Sequence, residues 1–266
     1  MYALISAGGF PKPEESLYNI TQGGNKALID LCGKPMVQWV LDALSGSALI
    51  DHIIIVGLPS NISLTCKHPL TLIKNQGEMI ENIRAGAEEI LKQDPSAQIT
   101  LLISSDIPAI TSEMIDWMVK TVESQPYDVF YSVVERKVME KRYPESRRTY
   151  IRLNDIELCG GDVHALRPSI ATRNNPLWDR ILAARKNPLK QAWLVGFDTL
   201  FYFITRQMNL EKAALFLGKK LGIKGKAVVL PFAEMGMDVD KAFQYEIMVK
   251  DLCQKKKSND QRITQS

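Results

Sequence analysis

Apolar positions in the first half of the chain follow two alternating periods. Tyr2-Ala3-Leu4-Ile5 is a short apolar run that stops at Gly8-Gly9, the pattern of a buried parallel strand feeding a loop. Residues 10–25 are polar and rich in Gly and Pro, too long for a simple connection and of the length that tends to be functional. Gly33-Lys34-Pro35 then opens an amphipathic helix with Met36, Val37, Val40, Leu41 and Leu44 at helical spacing. Ile53-Ile54-Ile55-Val56 is an apolar strand ending at Gly57, and a short strand over 70–73 leads to Asn75-Gln76-Gly77. A helix follows over 78–91, with Ile80, Ile83, Ala87 and Ile90 on one face. A strand over 99–104 ends at Ser105-Asp106-Ile107-Pro108, and Thr111 caps a helix reaching Val122. This alternation predicts a parallel sheet covered on both faces, with ligands at the carboxyl ends of the strands.

The second half reads differently. A strand is expected over 128–135, and 149–153 with 156–159 form an antiparallel hairpin turning at Asn154-Asp155. Residues 175–186 read as a helix, and 194–220 as a long, mostly helical and apolar stretch. A last strand over 227–230 precedes Asp238-Val239-Asp240 and a closing helix to about Leu252. The expected organisation is one domain, 1–252, with an inserted lobe over about 136–223 and a disordered basic tail, 253–266.

Composition narrows the classes. With 266 residues, 45% hydrophobic and 24% charged, the chain buries a core without staples. Its net charge of +3 gives no electrostatic case for nucleic acid. No apolar stretch is long enough to span a bilayer, so no stable membrane insertion is expected. Cys32, Cys66, Cys159 and Cys253 have no paired spacing, which argues against a zinc site or disulfide framework and suits a reducing compartment. Residues 1–7 run straight into a strand without a basic leader, so the expected location is cytoplasmic.

Four segments fall at strand ends on one sheet edge. Ala7-Gly8-Gly9 lets backbone amides approach phosphate oxygens. Lys26, closing the glycine-containing loop, can neutralise a triphosphate. Asn75 and Gly77 sit where a base could be read by backbone groups. Ser105-Asp106 puts a carboxylate directly after an apolar strand, well placed to hold a metal. Mg²⁺ commonly takes one or two carboxylates and completes its octahedron with water and phosphate. The second carboxylate is sought in Asp238-Val239-Asp240, where strand alternation would put Asp238 and Asp240 on one face. Neither a dinucleotide fingerprint nor a P-loop is present.

In this order the segments resemble the nucleotidyltransferases with a GT-A-like fold, in style closest to the molybdenum-cofactor guanylyltransferases. The resemblance runs from the first strand to the closing helix and is weak across the insert. It implies a Rossmann-like three-layer α/β/α fold with a mixed, mostly parallel sheet. It also implies Mg²⁺-dependent transfer of a nucleoside monophosphate from a triphosphate to a phosphorylated small-molecule acceptor, releasing pyrophosphate. Ala7, Gly8 and Gly9 would line the nucleotide, Lys26 would stabilise transition-state charge, and Gly77 would lie against the base. Asp106 would hold Mg²⁺ with Asp240, or with Asp238 as the fallback. Residues 10–25 are expanded relative to that family, and Lys241-Ala242-Phe243-Gln244 departs from its usual ending. On the acceptor side Asp162 and His164 are candidates, with Arg147 and Arg148 in the basic stretch 136–148 suited to an anionic group. The apolar run 195–217 could be core, a dimer face or a greasy pocket. Two other readings stand beside this one: a GT-A-type glycosyltransferase using a nucleotide sugar, and a nucleotide-sensing protein that kept the fold without the chemistry.

Overall fold

The computed structural model describes residues 1–153, 156–172 and 210–263. The chain opens with β1 (Tyr2–Ser6), then a long loop holding the short helix α1 (Tyr18–Thr21) and a 3-10 turn, Lys26–Leu28. A two-stranded ribbon, β2 (Asp30–Leu31) and β3 (Lys34–Pro35), leads into α2 (Met36–Ser45). Next come β4 (His52–Val56), β5 (Leu70–Ile73), α3 (Met79–Gln93), β6 (Thr100–Ser104) and α4 (Ser112–Val122). The second half holds β7 (Val129–Glu135), α5 (Arg136–Arg142), β8 (Ile151–Leu153), β9 (Ile156–Gly160) and β10 (Val163–Leu166). After the residues outside the description come α6 (Leu210–Leu221), β11 (Gly225–Leu230) and α7 (Ala242–Ile263).

Among the described residues nine strands form one sheet, in the order β5-β4-β1-β6-β10-β7-β9-β8 with β11 paired to β7. The pairings make β9 and β10 antiparallel to the rest, so the sheet is mixed and mostly parallel. Because successive side chains point to opposite faces, each strand feeds two cores. Ala3, Ile5, Ile53, Ile55, Leu101 and Ile103 face α2, α4 and α7; Leu4, Ile54 and Val56 face α3. Helices on both faces of the sheet give the three-layer α/β/α arrangement.

The chain leaves β1 for β4 on one side and later returns to β6 on the other. The carboxyl end of β1 is therefore a topological switch point, where a crevice opens between diverging connections. Ser6, Val56, Ser104 and Ile73 finish level with one another along that edge.

Several expectations change. Of the stretch expected as an insert, β8, β9 and β10 join the main sheet, and β10 lies between β6 and β7. The basic stretch 136–148 begins as a helix, because Arg136 pairs with Glu140 one turn on and Met139 is buried beneath. The last helix continues to Ile263, well into the expected tail, through a run without Gly or Pro. The cysteines are not all unpaired. Cys32 and Cys253 form a disulfide (Cα–Cα 5.5 Å) that ties the turn before Gly33 to α7 across a separation of 221 residues. A spacing that wide carries no signal in the sequence. The helix expected over 175–186 and the turn at 154–155 lie outside the described residues, as does most of the apolar stretch 194–220.

Candidate active site

The glycine loop and the base-side loop meet first. Asn82 on α3 is buried; its Oδ1 accepts from the Gln76 N–H (2.7 Å) and its Nδ2 donates to Asn75 Oδ1 (3.0 Å). Asn75 Oδ1 also accepts from the Gly77 N–H (3.1 Å), so the loop after β5 is held by two amide side chains. Gly8 lies against this pair: a Cβ there would come within 2.3 Å of Asn82 Nδ2 and 2.8 Å of Asn75 Oδ1. On its other side, Gly57 takes a positive φ of 116°, and a Cβ there would meet Gly8 N at 2.3 Å. Glycine at both positions lets three strand-end loops converge.

Lys26 is placed by its neighbour. The Asn25 side chain is buried, donates to Ala7 O (2.7 Å) and Gly57 O (3.1 Å), and accepts from the Ala27 N–H (2.8 Å). The first bond pins the 3-10 turn to the end of β1, the second ties it to the end of β4 and the third caps the turn, while Lys26 N–H adds a bond to Gly9 O (2.8 Å). The Lys26 ammonium lies between two carboxylates, Asp106 after β6 and Asp240 before α7. Ser104 Oγ hydrogen-bonds Asp106, and the Val239 N–H donates to Asp106 O (3.0 Å), which holds the two acidic segments side by side. Gln244 Oε1 accepts from the N–H groups of Asp240 (2.9 Å) and Lys241 (2.8 Å), capping α7 and fixing the position of Asp240. Burial alone would lower the Lys26 pKa; attraction to Asp106 and Asp240 outweighs it, so the amine is held protonated beyond the ordinary lysine range.

Asp238 goes elsewhere. The segment 237–240 is not a strand, so its carboxylates do not share a face. Asp238 turns inward to Arg148, with only 11% of its side chain exposed, whereas Asp240 is 56% exposed. Arg148 also reaches Gly160 O (3.3 Å) and lies 3.9 Å from Asp162 Oδ2, an oxygen without a hydrogen-bond partner. Burial, then the charges of Asp106 and Asp240, push the Asp162 carboxyl up to about 7, against the pull of Arg148 and Lys26. Arg148 is thus committed to protein carboxylates rather than presented to an anionic acceptor. Arg136 and Arg142 are likewise committed, to Glu140 and Glu157 and to Glu234 and Asp251. Arg147 lies over the Phe243 ring, 5.3 Å away. His164 sits two residues inside β10, stacked on Tyr131 at 4.8 Å, and its Nδ1 accepts from the Ser132 N–H (3.1 Å). Burial lowers its pKa to about 4, so the ring is neutral.

A cavity of about 490 Å³ opens beside Lys26, lined by Gly9, Phe10, Pro11, Glu15, Ser16, Leu17, Asp240 and Lys241. Its floor is the 10–25 loop, tied to α7 where the Ala242 N–H donates to Ser16 Oγ (3.2 Å). Among the described residues no three His, Cys, Asp or Glu side chains gather as a metal site. A Mg²⁺ ion needs no such set: two carboxylates from separate strand ends already converge on one cation, the Lys26 ammonium, with hard oxygen donors. The residues fit that ion. Asn25 and the Arg148 network carry no signal along the chain, since their partners lie well away in sequence, whereas Asn82 and Gln244 hold segments just before or at the start of their own helices, a local pattern that sequence reasoning missed.

The profile of the MobA-like NTP transferase domain matches residues 20–195, well over half of the chain. The chain belongs to the MobA-like NTP transferase domain family. That match runs from the 10–25 loop through β10 and includes Lys26, Asn75, Asp106 and Asp162. A hypothetical transferase from Thermus thermophilus is 29% identical, with a TM-score of 0.75 over 92% of this chain and 98% of that one. The 3-deoxy-manno-octulosonate cytidylyltransferase of Brucella canis is 28% identical over 120 residues, 44% of this chain and 48% of that protein. The chain spans about half the length of the curated relatives it matches. A CMP:2-keto-3-deoxy-manno-octonic acid synthetase complexed with CTP shares the fold, at 13% identity and a TM-score of 0.57 over 96% and 99% of the two chains.

Proposed function

We propose that this protein transfers a nucleoside monophosphate from a triphosphate to a phosphorylated or sugar-type acceptor, with Mg²⁺, releasing pyrophosphate. The observation that carries the reading is the Lys26 ammonium held between Asp106 and Asp240 on the wall of a cavity at the switch point. An acceptor oxygen attacks the α-phosphorus, a new O–P bond forms, and the bond to the β-phosphate breaks with its electron pair leaving on pyrophosphate. Such a reaction needs positioning and charge stabilisation rather than a covalent protein intermediate. Asp106 and Asp240 would hold Mg²⁺, which would supply neutralisation of the phosphate oxygens. Gly8 and Gly9 present backbone to the nucleotide, Asn82 and Asn75 fix the Gly77 loop beside it, and Asn25 keeps Lys26 in place as charge develops. CTP is the first triphosphate to test, because the curated relatives are named cytidylyltransferases. Asp162, beside the cluster with a carboxyl near half-protonation at neutral pH, suits a group that hydrogen-bonds an anionic acceptor.

The test is thermal stability with CTP, GTP, ATP and UTP, each with and without Mg²⁺, followed by pyrophosphate release. A triphosphate at 100 times its dissociation constant adds about 2.7 kcal/mol, a shift of several degrees. One triphosphate should do so only with Mg²⁺, and Asp106→Ala should lose both the shift and at least about 100-fold of turnover. Binding without pyrophosphate release under any acceptor tried would point to a sensing protein; no shift with any triphosphate would remove the reading.

A further inference from the structure

The cavity beside Lys26 has an uneven charge balance. Two lysines line it, Lys26 and Lys241, together with Asp240 and Glu15, and Asp106 adjoins through its pair with Lys26. Lys26 is already shared between two carboxylates, so its charge is spent on the protein. Among the described residues no carboxylate pairs with Lys241, whose side chain is exposed. Its backbone, by contrast, is fixed: Gln244 Oε1 accepts from its N–H at 2.8 Å, and the next N–H bonds Ser16 Oγ of the 10–25 loop. The result is an unneutralised ammonium on a rigid base, on the same cavity lining as Gly9.

A triphosphate entering this cavity carries most of its charge on the β- and γ-phosphates. A metal between Asp106 and Asp240 offsets those two carboxylates and leaves little surplus for the terminal phosphates. Lys241 is the remaining cation on the lining. We propose that Lys241 binds the pyrophosphate half of the triphosphate, holding the leaving group while Lys26 faces the transferred phosphate. The assignment rests on the nucleotidyl-transfer reading above and names the residue that recognises the part of the substrate common to every triphosphate. Lysine suits this role, because its compact ammonium on a flexible stem can follow pyrophosphate as it departs.

Equilibrium titration of the full chain with inorganic pyrophosphate, CTP and CMP, all with Mg²⁺, separates the possibilities; the triphosphate that shifts stability replaces CTP if it is another. Lys241→Met should weaken pyrophosphate and triphosphate binding about tenfold while leaving the monophosphate unchanged, since one charge-assisted contact is lost. Lys241→Arg should recover most of that loss, and Lys67→Met, at an exposed lysine outside the cavity, should change nothing. Equal weakening of all three ligands, or no change, overturns the assignment of Lys241 while leaving nucleotidyl transfer standing. If the wild type binds neither pyrophosphate nor any triphosphate, the functional reading falls and takes the assignment with it.

Discussion

Two cations in this protein each bridge a pair of aspartates, and they are built for opposite purposes. Lys26 lies between Asp106 and Asp240 on an open cavity; Arg148 lies between Asp238 and Asp162 in the packed protein behind it. The short sequence Asp238-Val239-Asp240 supplies one carboxylate to each. Arginine presents a rigid, always charged fork and adds a bond to Gly160 O, so its cluster works as a fastener among three segments. Lysine is a point charge on a mobile stem, and its two partners are oxygen donors that a metal can share. The difference teaches that two aspartates two residues apart can serve different clusters, Asp238 turned inward to Arg148 and Asp240 facing the cavity.

The largest expected effect comes from removing the fastener. Arg148→Met leaves Asp238 and Asp162 uncompensated and should cost about 3–5 kcal/mol in denaturant unfolding, with Mg²⁺ restoring none of it. Adding Asp238→Asn should recover part of the loss. If Arg148→Met is as stable as the wild type, the two clusters do not differ in kind.

A smaller effect sharpens the same contrast. Lys26→Met should lower stability by about 2–3 kcal/mol, because Asp106 is left buried without its cation while Asp240 is largely exposed and loses little. Mg²⁺ should stabilise this variant more than the wild type, since the ion no longer competes with an ammonium. An equal Mg²⁺ response in both proteins would show that Lys26 does not stand in the place of the cation.

The smallest effect is read in pH. The Asp162 carboxyl is raised in the folded protein above its value in the unfolded chain, so its contribution is fully present below about pH 4 and is lost as pH rises through about 7. Asp162→Asn removes that loss and should gain stability over the wild type as pH rises toward 8, with the gap closing toward pH 4. His164 acts in the opposite sense in both proteins: its lowered pKa means stability lost as pH falls from 6.5 toward 4. A gap between variant and wild type that does not vary with pH would mean that Asp162 titrates normally.

Much of the parallel half was legible in the pattern of side chains. Strands β1, β4, β5 and β6 and helices α2, α3 and α4 lie where short apolar runs and 3.6-residue spacing predict them, because each buries its own face. The convergence of segments 7–9, 75–77 and 106 follows from the single rule that parallel strands end at one edge, and Lys26 joins them through the turn that Asn25 holds. What stayed hidden depends on partners far apart. Nothing local tells that β10 enters the sheet between β6 and β7, that Asn25 bonds Ala7 and Gly57, or that Arg148 meets Asp238. Asp238 and Asp240 were expected on one face through strand alternation; the segment is not a strand, and that premise fails. The arginines of 136–148 read as a basic surface because their acidic partners, Glu157, Glu234, Asp238 and Asp251, are distant in sequence.

The bond between Cys32 and Cys253 turns all but the two ends of the molecule into a covalent ring. Helix α7 starts just after Asp240 and carries Cys253 near its middle, so Asp240 is anchored by Gln244 at the start of that helix and the helix itself by the disulfide farther along. Inside the ring a single proteolytic cut produces no fragment: the pieces stay joined, run as one band until reductant is added, and keep Asp240 tethered to the rest of the chain. The molecule can therefore be opened at a surface loop without releasing the helix that carries Asp240 to the edge where β1 and β6 end.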